Sequence, residues 1–177
     1  MQKNWYIVYT RPKWEKKVVA SLTKRKIENF FPVNNSKQLT YLKKIKIQHE
    51  PLFESYVFVN ATESDLPGIK SIDGVVNFIY WKGKPAIVQA EEIEVIKEFT
   101  TDHQDIRLEK TKVNVNDVAK VIDAAKYSID GNVLTIKNTI VKVNLPSIGF
   151  TLTAKVETES SLHQKVSFGQ KDLLLQS

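Results

Sequence analysis

The hydrophobic pattern of this chain changes period near residue 102, and that change does most to limit the folds open to it. Up to Thr101, strand-like apolar runs interleave with segments whose apolar residues recur at helical spacing. Beyond it, apolar and polar residues alternate at Val113, Val115, Val118 to Ile122, Val133 to Ile136, Thr139 to Leu145 and Phe150 to Val156. Asp130-Gly131 and Pro146-Ser147 punctuate those runs. Two units are therefore expected: an α+β unit over residues 1–102 and a small all-β barrel over residues 113–158. The polar, aperiodic residues 103–112 read as the linker, and residues 159–177 as a flexible tail. A chain of 177 residues has room for both units.

Within the first unit, Trp5-Tyr6-Ile7-Val8-Tyr9 is β-branched and aromatic and stops at Thr10-Arg11-Pro12, which predicts a strand ended by a turn. Lys13 to Ile27 predicts a helix with Trp14, Val18, Val19 and Leu22 on an apolar side and Lys13, Lys17 and Lys24 opposite. Asn29 to Val33 and Leu39 to Ile47 read as strands flanking a polar turn at Asn34-Asn35-Ser36, and Ser55 to Ala61 as another strand. Ser64-Asp65-Leu66-Pro67 has the form of a helix start, and Gly74 closes that short helix. Val75 to Tyr80 and Ala86 to Val88 read as strands around Lys82-Gly83-Lys84-Pro85. Ala90 to Thr101 follows as a helix with Ile93, Ile96 and Phe99 as its stripe. The pattern predicts an antiparallel sheet with helices packed on it.

Charge is distributed unevenly. The net of +6 resolves into +9 for residues 1–50, −5 for 51–110 and +2 for 111–177. A basic surface of that density attracts polyanions, although a lysine-rich run is ordinarily just a solvated face. Catalytic constellations are missing: His49, His103 and His163 lie far apart, six glycines form no phosphate loop, and there is no cysteine. Glu91, Glu92, Glu94 and Glu98 fall on one helix and read as its solvated face. A binding protein without enzyme activity, metal or cofactor is expected. No apolar run reaches the ~18 residues of a membrane span, and the N-terminal apolar stretch precedes a basic one, the reverse of a secretory signal. A cytoplasmic protein with no membrane partner is expected.

Four segments in order carry a resemblance: Trp5-Tyr6-Ile7-Val8-Tyr9, Thr10 to Val18, Pro51-Leu52-Phe53-Glu54-Ser55-Tyr56-Val57-Phe58-Val59, and Gly74-Val75-Val76-Asn77-Phe78. Together they resemble the N-terminal domain of NusG-like transcription elongation and antitermination factors, most of all the specialised RfaH and UpxY-type paralogues. The resemblance implies an antiparallel sheet with flanking helices, followed by an SH3-like barrel of the KOW type. It further implies an apolar patch that docks on the clamp helices of the RNA polymerase largest subunit and suppresses pausing and termination. Tyr9, Phe53, Tyr56 and Phe58 match that patch. The basic helix would meet the exposed non-template DNA strand, through Arg11, Lys24 and Arg25 with Lys13, Lys16 and Lys17 extending the surface. Polysaccharide-biosynthesis operons are the target class the specialised paralogues suggest.

Two departures qualify this implication. Phe53-Glu54-Ser55-Tyr56 stands where the family has Phe-Pro-Gly-Tyr, and residues near Asp65-Leu66-Pro67 replace the motif with which RfaH touches the opposite side of the polymerase cleft. The KOW glycine turn is weak, with Ala124-Ala125 and Gly131 as its nearest matches. The barrel's partner, a small-subunit ribosomal protein or Rho, stays open accordingly. The period-two alternation predicts strands there, and no helical form that hides the patch. A competing reading is a free-standing single-stranded RNA-binding protein that stacks bases on Tyr56 and Phe58 of an RRM-like sheet.

Overall fold

The computed structural model describes residues 1–111, 126–129, 132–137 and 140–155. β1 (Asn4–Thr10) is the centre of the first sheet. It pairs antiparallel with β5 (Tyr56–Ala61) in the register Tyr9↔Tyr56 to Asn4↔Ala61. β2 (Glu28–Phe30) extends the sheet beyond β5, while β6 (Val75–Phe78) and β9 (Ile87–Val88) both pair with β1 on its other side. Alternation along β1 sends Tyr6 and Val8 to one face and Trp5, Ile7 and Tyr9 to the other.

Each face has its own cover. α1 (Glu15–Lys24) and the short α2 (Leu66–Lys70) close the first face, burying Val18, Leu22 and Ile69 against Tyr6, Val8, Val57 and Val59. α3 (Ala90–Asp102) closes part of the second, with Ile93, Ile96 and Phe99 against Trp5, Ile7 and Phe58. α1 is shorter than its predicted range, because Lys13 adopts φ of 66° and Trp14 serves as the N-cap. A 3-10 turn at Glu63–Asp65 precedes α2, and Thr62 and Asp65 form a capping box there. β7 (Tyr80–Trp81) and β8 (Lys84–Pro85) make a hairpin whose two-residue loop, Lys82-Gly83, has positive φ at both positions, as a type I′ turn requires.

The region from residue 31 to 51 departs from the expected pattern. β3 (Val33–Leu39) and β4 (Ile45–Pro51) form a seven-pair hairpin, so Asn34-Asn35-Ser36 is strand and the turn lies at Thr40 to Lys44. Long-range hydrogen bonds explain the asparagines: the Asn34 amide donates to the Ile106 carbonyl (2.9 Å) and its oxygen accepts from the Ile106 N–H (3.0 Å). The Asn34 side chain thus ties β3 to a distant segment, whereas in isolation an asparagine run resembles a turn.

Residues 103–112, expected as a linker, contain β10 (Arg107–Lys110). It belongs to a second antiparallel sheet, in the order β10-β14-β13-β12-β11, with β11 (Lys126–Ile129), β12 (Asn132–Lys137), β13 (Ile140–Leu145) and β14 (Phe150–Lys155). Strands are what the alternation predicts. The glycine turn at Ala124-Ala125 and Gly131 and the tail at 159–177 lie outside the described residues. Val143, Leu145, Leu152 and Ala154 join Phe53, Phe58, Ile93 and Ile96 in one buried cluster, so the second sheet packs directly on the first unit.

Candidate functional site

The end of β1 organises both expected surfaces. The Thr10 N–H donates to the Ser55 carbonyl and the Arg11 N–H to the Gly74 carbonyl, each at 2.8 Å. Gly74 has φ of +92°, and a Cβ there would stand 2.6 Å from Trp14 Cε3. Only glycine permits this close seat for the indole. Trp14, expected on the apolar side of the helix, is half-buried, with Arg11 5.3 Å and Lys17 4.2 Å from its ring centroid. Both cations are thereby held beside an aromatic surface.

Lys13, Lys16, Lys17, Lys24 and Arg25 are all exposed, as is Arg11, and α1 carries or flanks every one. Arg11 also lies 3.6 Å from the exposed Asp73. Arg25 donates to the Gly68 carbonyl at 3.1 Å, which fixes its guanidinium at the junction of α1 and α2. The six expected basic residues are thus solvent-exposed on or beside α1, the helix that covers the first face of the sheet.

The aromatic group lies on the other side. Tyr9 is 39% exposed and meets Tyr56 edge-on at 6.1 Å, and Tyr56 stacks on Phe53 at 6.3 Å. Glu15, at the start of α1, is buried and accepts a 2.9 Å hydrogen bond from the Ser55 N–H, linking the basic helix to the aromatic loop. Ser55 takes φ of 62°, so the turn keeps a left-handed residue without glycine. The Tyr56 phenol is raised above its ordinary pKa, first by burial and then by Tyr9.

Two expected patch residues are not at the surface. Phe58 is 0% exposed, packed between Phe30 and Phe53 in the core. Phe53 is 2% exposed; Phe150 of β14 meets its ring edge-on at 5.7 Å, and Phe58 and Tyr56 pack on it as well. Leu108 and Phe150 of the second sheet line the same groove as Tyr9, Phe53 and Tyr56. Phe58, one of the two rings that base stacking would need, is buried in the cluster that α3 and the second sheet share, so the RRM-like reading is not favoured.

The contact with the second sheet has a polar centre. Glu92 of α3 is 3% exposed; its Oε1 accepts from the Ser147 N–H at 3.0 Å, while Oε2 has no hydrogen-bond partner among the described residues. Burial raises its pKa above the ordinary 4.5, against the lowering effect of the Ser147 hydrogen bonds. The helical pattern of the sequence puts Glu92 on a solvated face, and no motif marks Glu15, Asp73 or Phe150. Of these, only Glu15 carried a signal, being the one carboxylate among the first 27 residues. Among the described residues no group of acidic and histidine side chains could hold a metal, and no helix is long and apolar enough to cross a membrane.

The family described as "Transcription termination factor nusG" matches residues 3–97. The transcription termination/antitermination protein NusG of Streptococcus pyogenes serotype M3 is 28% identical over 168 residues, spanning 88% of this chain and 93% of that protein. Its counterpart from serotype M1 aligns over the same extent. A solved structure described as "Domain interaction in Thermotoga maritima NusG" covers 89% of this chain and 99% of its own at 19% identity, with a TM-score of 0.46. With more than half of its residues matched, including the β1 end and the aromatic loop, the chain belongs to the NusG family of transcription factors.

Proposed function

We propose that this chain is a transcription antitermination and elongation factor that grips two partners from the two faces of one sheet. Tyr9, Tyr56 and Phe53 dock on the clamp helices of the RNA polymerase largest subunit, with Phe58 supporting Phe53 from beneath. Arg11, Lys13, Lys16, Lys17, Lys24 and Arg25 hold the non-template DNA strand, chiefly through phosphates. The observation that carries this reading is the closeness of Tyr9 and Arg11 at the end of β1. Tyr9 joins the aromatic group, and two residues on Arg11 joins the cationic face beside Trp14. Aromatic rings suit such a contact because they offer large rigid area with little entropy to lose.

Phe150 rests on Phe53 in the structure, so full engagement of the patch follows release of β14. The second unit is a KOW-type barrel in this reading, with a small-subunit ribosomal protein or Rho as its partner. Polysaccharide-biosynthesis operons supply the templates to examine first. The direct test is transcription through a terminator by purified polymerase, with and without the chain. Readthrough should rise with the intact protein and fall to the background with Tyr56→Ala or Tyr9→Ala, both outside the core. Equal readthrough with and without the intact chain refutes the proposal.

A further inference from the structure

The β3–β4 hairpin stands apart from both large sheets and carries a surface that neither contact above uses. Its seven cross-strand pairs extend about 20 Å at ~3.4 Å per residue. The base is anchored: Asn34 bonds Ile106 twice, the Asp105 N–H donates to the Asn35 carbonyl at 3.0 Å, and the Leu52 N–H donates to the Pro32 carbonyl at 2.9 Å. The distal half projects into solvent. Tyr41 is 101% exposed and Leu42 78%, and both sit in the turn itself, where the Lys43 N–H donates to the Thr40 carbonyl and Lys43 takes φ of 55°. Turn positions of this kind ordinarily hold polar residues or glycine. Leu39 and Ile45, paired across the strands, continue the apolar surface below them.

Lysines surround that apolar tip. Lys43 and Lys44 follow Leu42 directly and Lys46 follows Ile45, while no Asp or Glu occurs between Glu28 and Glu50. No acidic side chain pairs with these three lysines among the described residues. A protein interface would have to strip water from several ammonium groups around a small apolar centre, and lysine is depleted at such interfaces. Nucleic-acid phosphates accept the same groups while they stay hydrated. A two-stranded ribbon also fits a duplex groove, and apolar side chains at the end of such an arm can wedge into a base step.

We propose that the β3–β4 hairpin is an arm for duplex DNA, with Lys43, Lys44 and Lys46 on phosphates and Tyr41-Leu42 as an apolar wedge at its tip. The arm is distinct from the α1 surface and does not depend on polymerase binding. Its fixed base limits the conformational entropy lost when it docks.

The test uses the full chain and a labelled DNA duplex of about 30 base pairs, with affinity read by fluorescence anisotropy across a salt series. Replacing Lys43, Lys44 and Lys46 together by Gln should lower affinity about tenfold or more and reduce the slope of log K against log salt by about 2 to 3. Tyr41→Ser with Leu42→Ser should weaken binding about fivefold and leave the slope in place, since it removes no phosphate contact. Both sets of residues are exposed, and unchanged circular dichroism confirms that the fold survives. Unaltered affinity and slope in the lysine variant overturn the proposal. So does tighter binding of the intact chain to the single strand than to the duplex, or loss of polymerase binding in the lysine variant with duplex affinity preserved.

Discussion

Ser55 combines a left-handed backbone, at φ of 62°, with a buried position and a hydrogen bond to Glu15. An L-residue in that conformation costs roughly 1 to 2 kcal/mol, which glycine avoids. Ser55→Gly is expected to raise stability by about 1 kcal/mol and Ser55→Val to lower it by about 2 kcal/mol, because a β-branched side chain crowds the same backbone. Denaturant midpoints of the two variants check this. In the sequence only the departure from the resembled Phe-Pro-Gly-Tyr segment is legible; the left-handed backbone that Ser55 keeps is a finding of the structure. The fate of the two phenylalanines was not legible either. Phe58 alternates with Val57 and Val59 in a strand buried on both faces, and period-two spacing cannot say which face is open.

At the scale of elements, β1, β5, α3 and the short helix near Pro67 lie where strand composition, apolar spacing and capping signals put them. The β3–β4 turn was not readable, since Thr40 to Lys44 contains no glycine, asparagine or proline and closes through backbone bonds and a left-handed lysine. The solvated appearance of Glu92 failed for a different reason: its burial comes from the turn after β13, which lies 55 residues further along the chain. Docking of α3 on that turn disfavours the ionised carboxylate, so its pKa is raised in the docked form. Below its ordinary value of 4.5 the group is protonated in both docked and separated forms and no penalty applies. As pH rises through that value toward the raised one, the penalty grows, and docking weakens. Amide protection in β13 and β14 is expected to decline over that window. Glu92→Gln, which keeps an acceptor for the Ser147 N–H, should remove the decline and increase protection at neutral pH.

At the scale of the whole molecule, one sheet separates a cationic surface from an aromatic one, and the second sheet lies over part of the latter. Nothing in the local pattern of residues 103–156 announces that packing. Phe53 and Phe150 are distant in sequence, and each looks like an ordinary strand or loop hydrophobe alone. The arrangement makes affinity for a partner at Tyr9, Phe53 and Tyr56 depend on the fraction of molecules with Phe53 uncovered, since an apparent dissociation constant scales inversely with the competent fraction. Phe150→Ser removes the ring that meets Phe53 and places a hydroxyl against it, which raises that fraction. Binding to purified polymerase is expected to tighten about three- to tenfold as the competent fraction grows. The gain should vanish when Tyr56→Ala is added, because the exposed surface then lacks its central ring. If Phe150→Ser binds polymerase no better than the parent chain, the second sheet is a structural support only. In that case the docking surface is limited to Tyr9 and the outer edge of Tyr56, the parts already open to solvent.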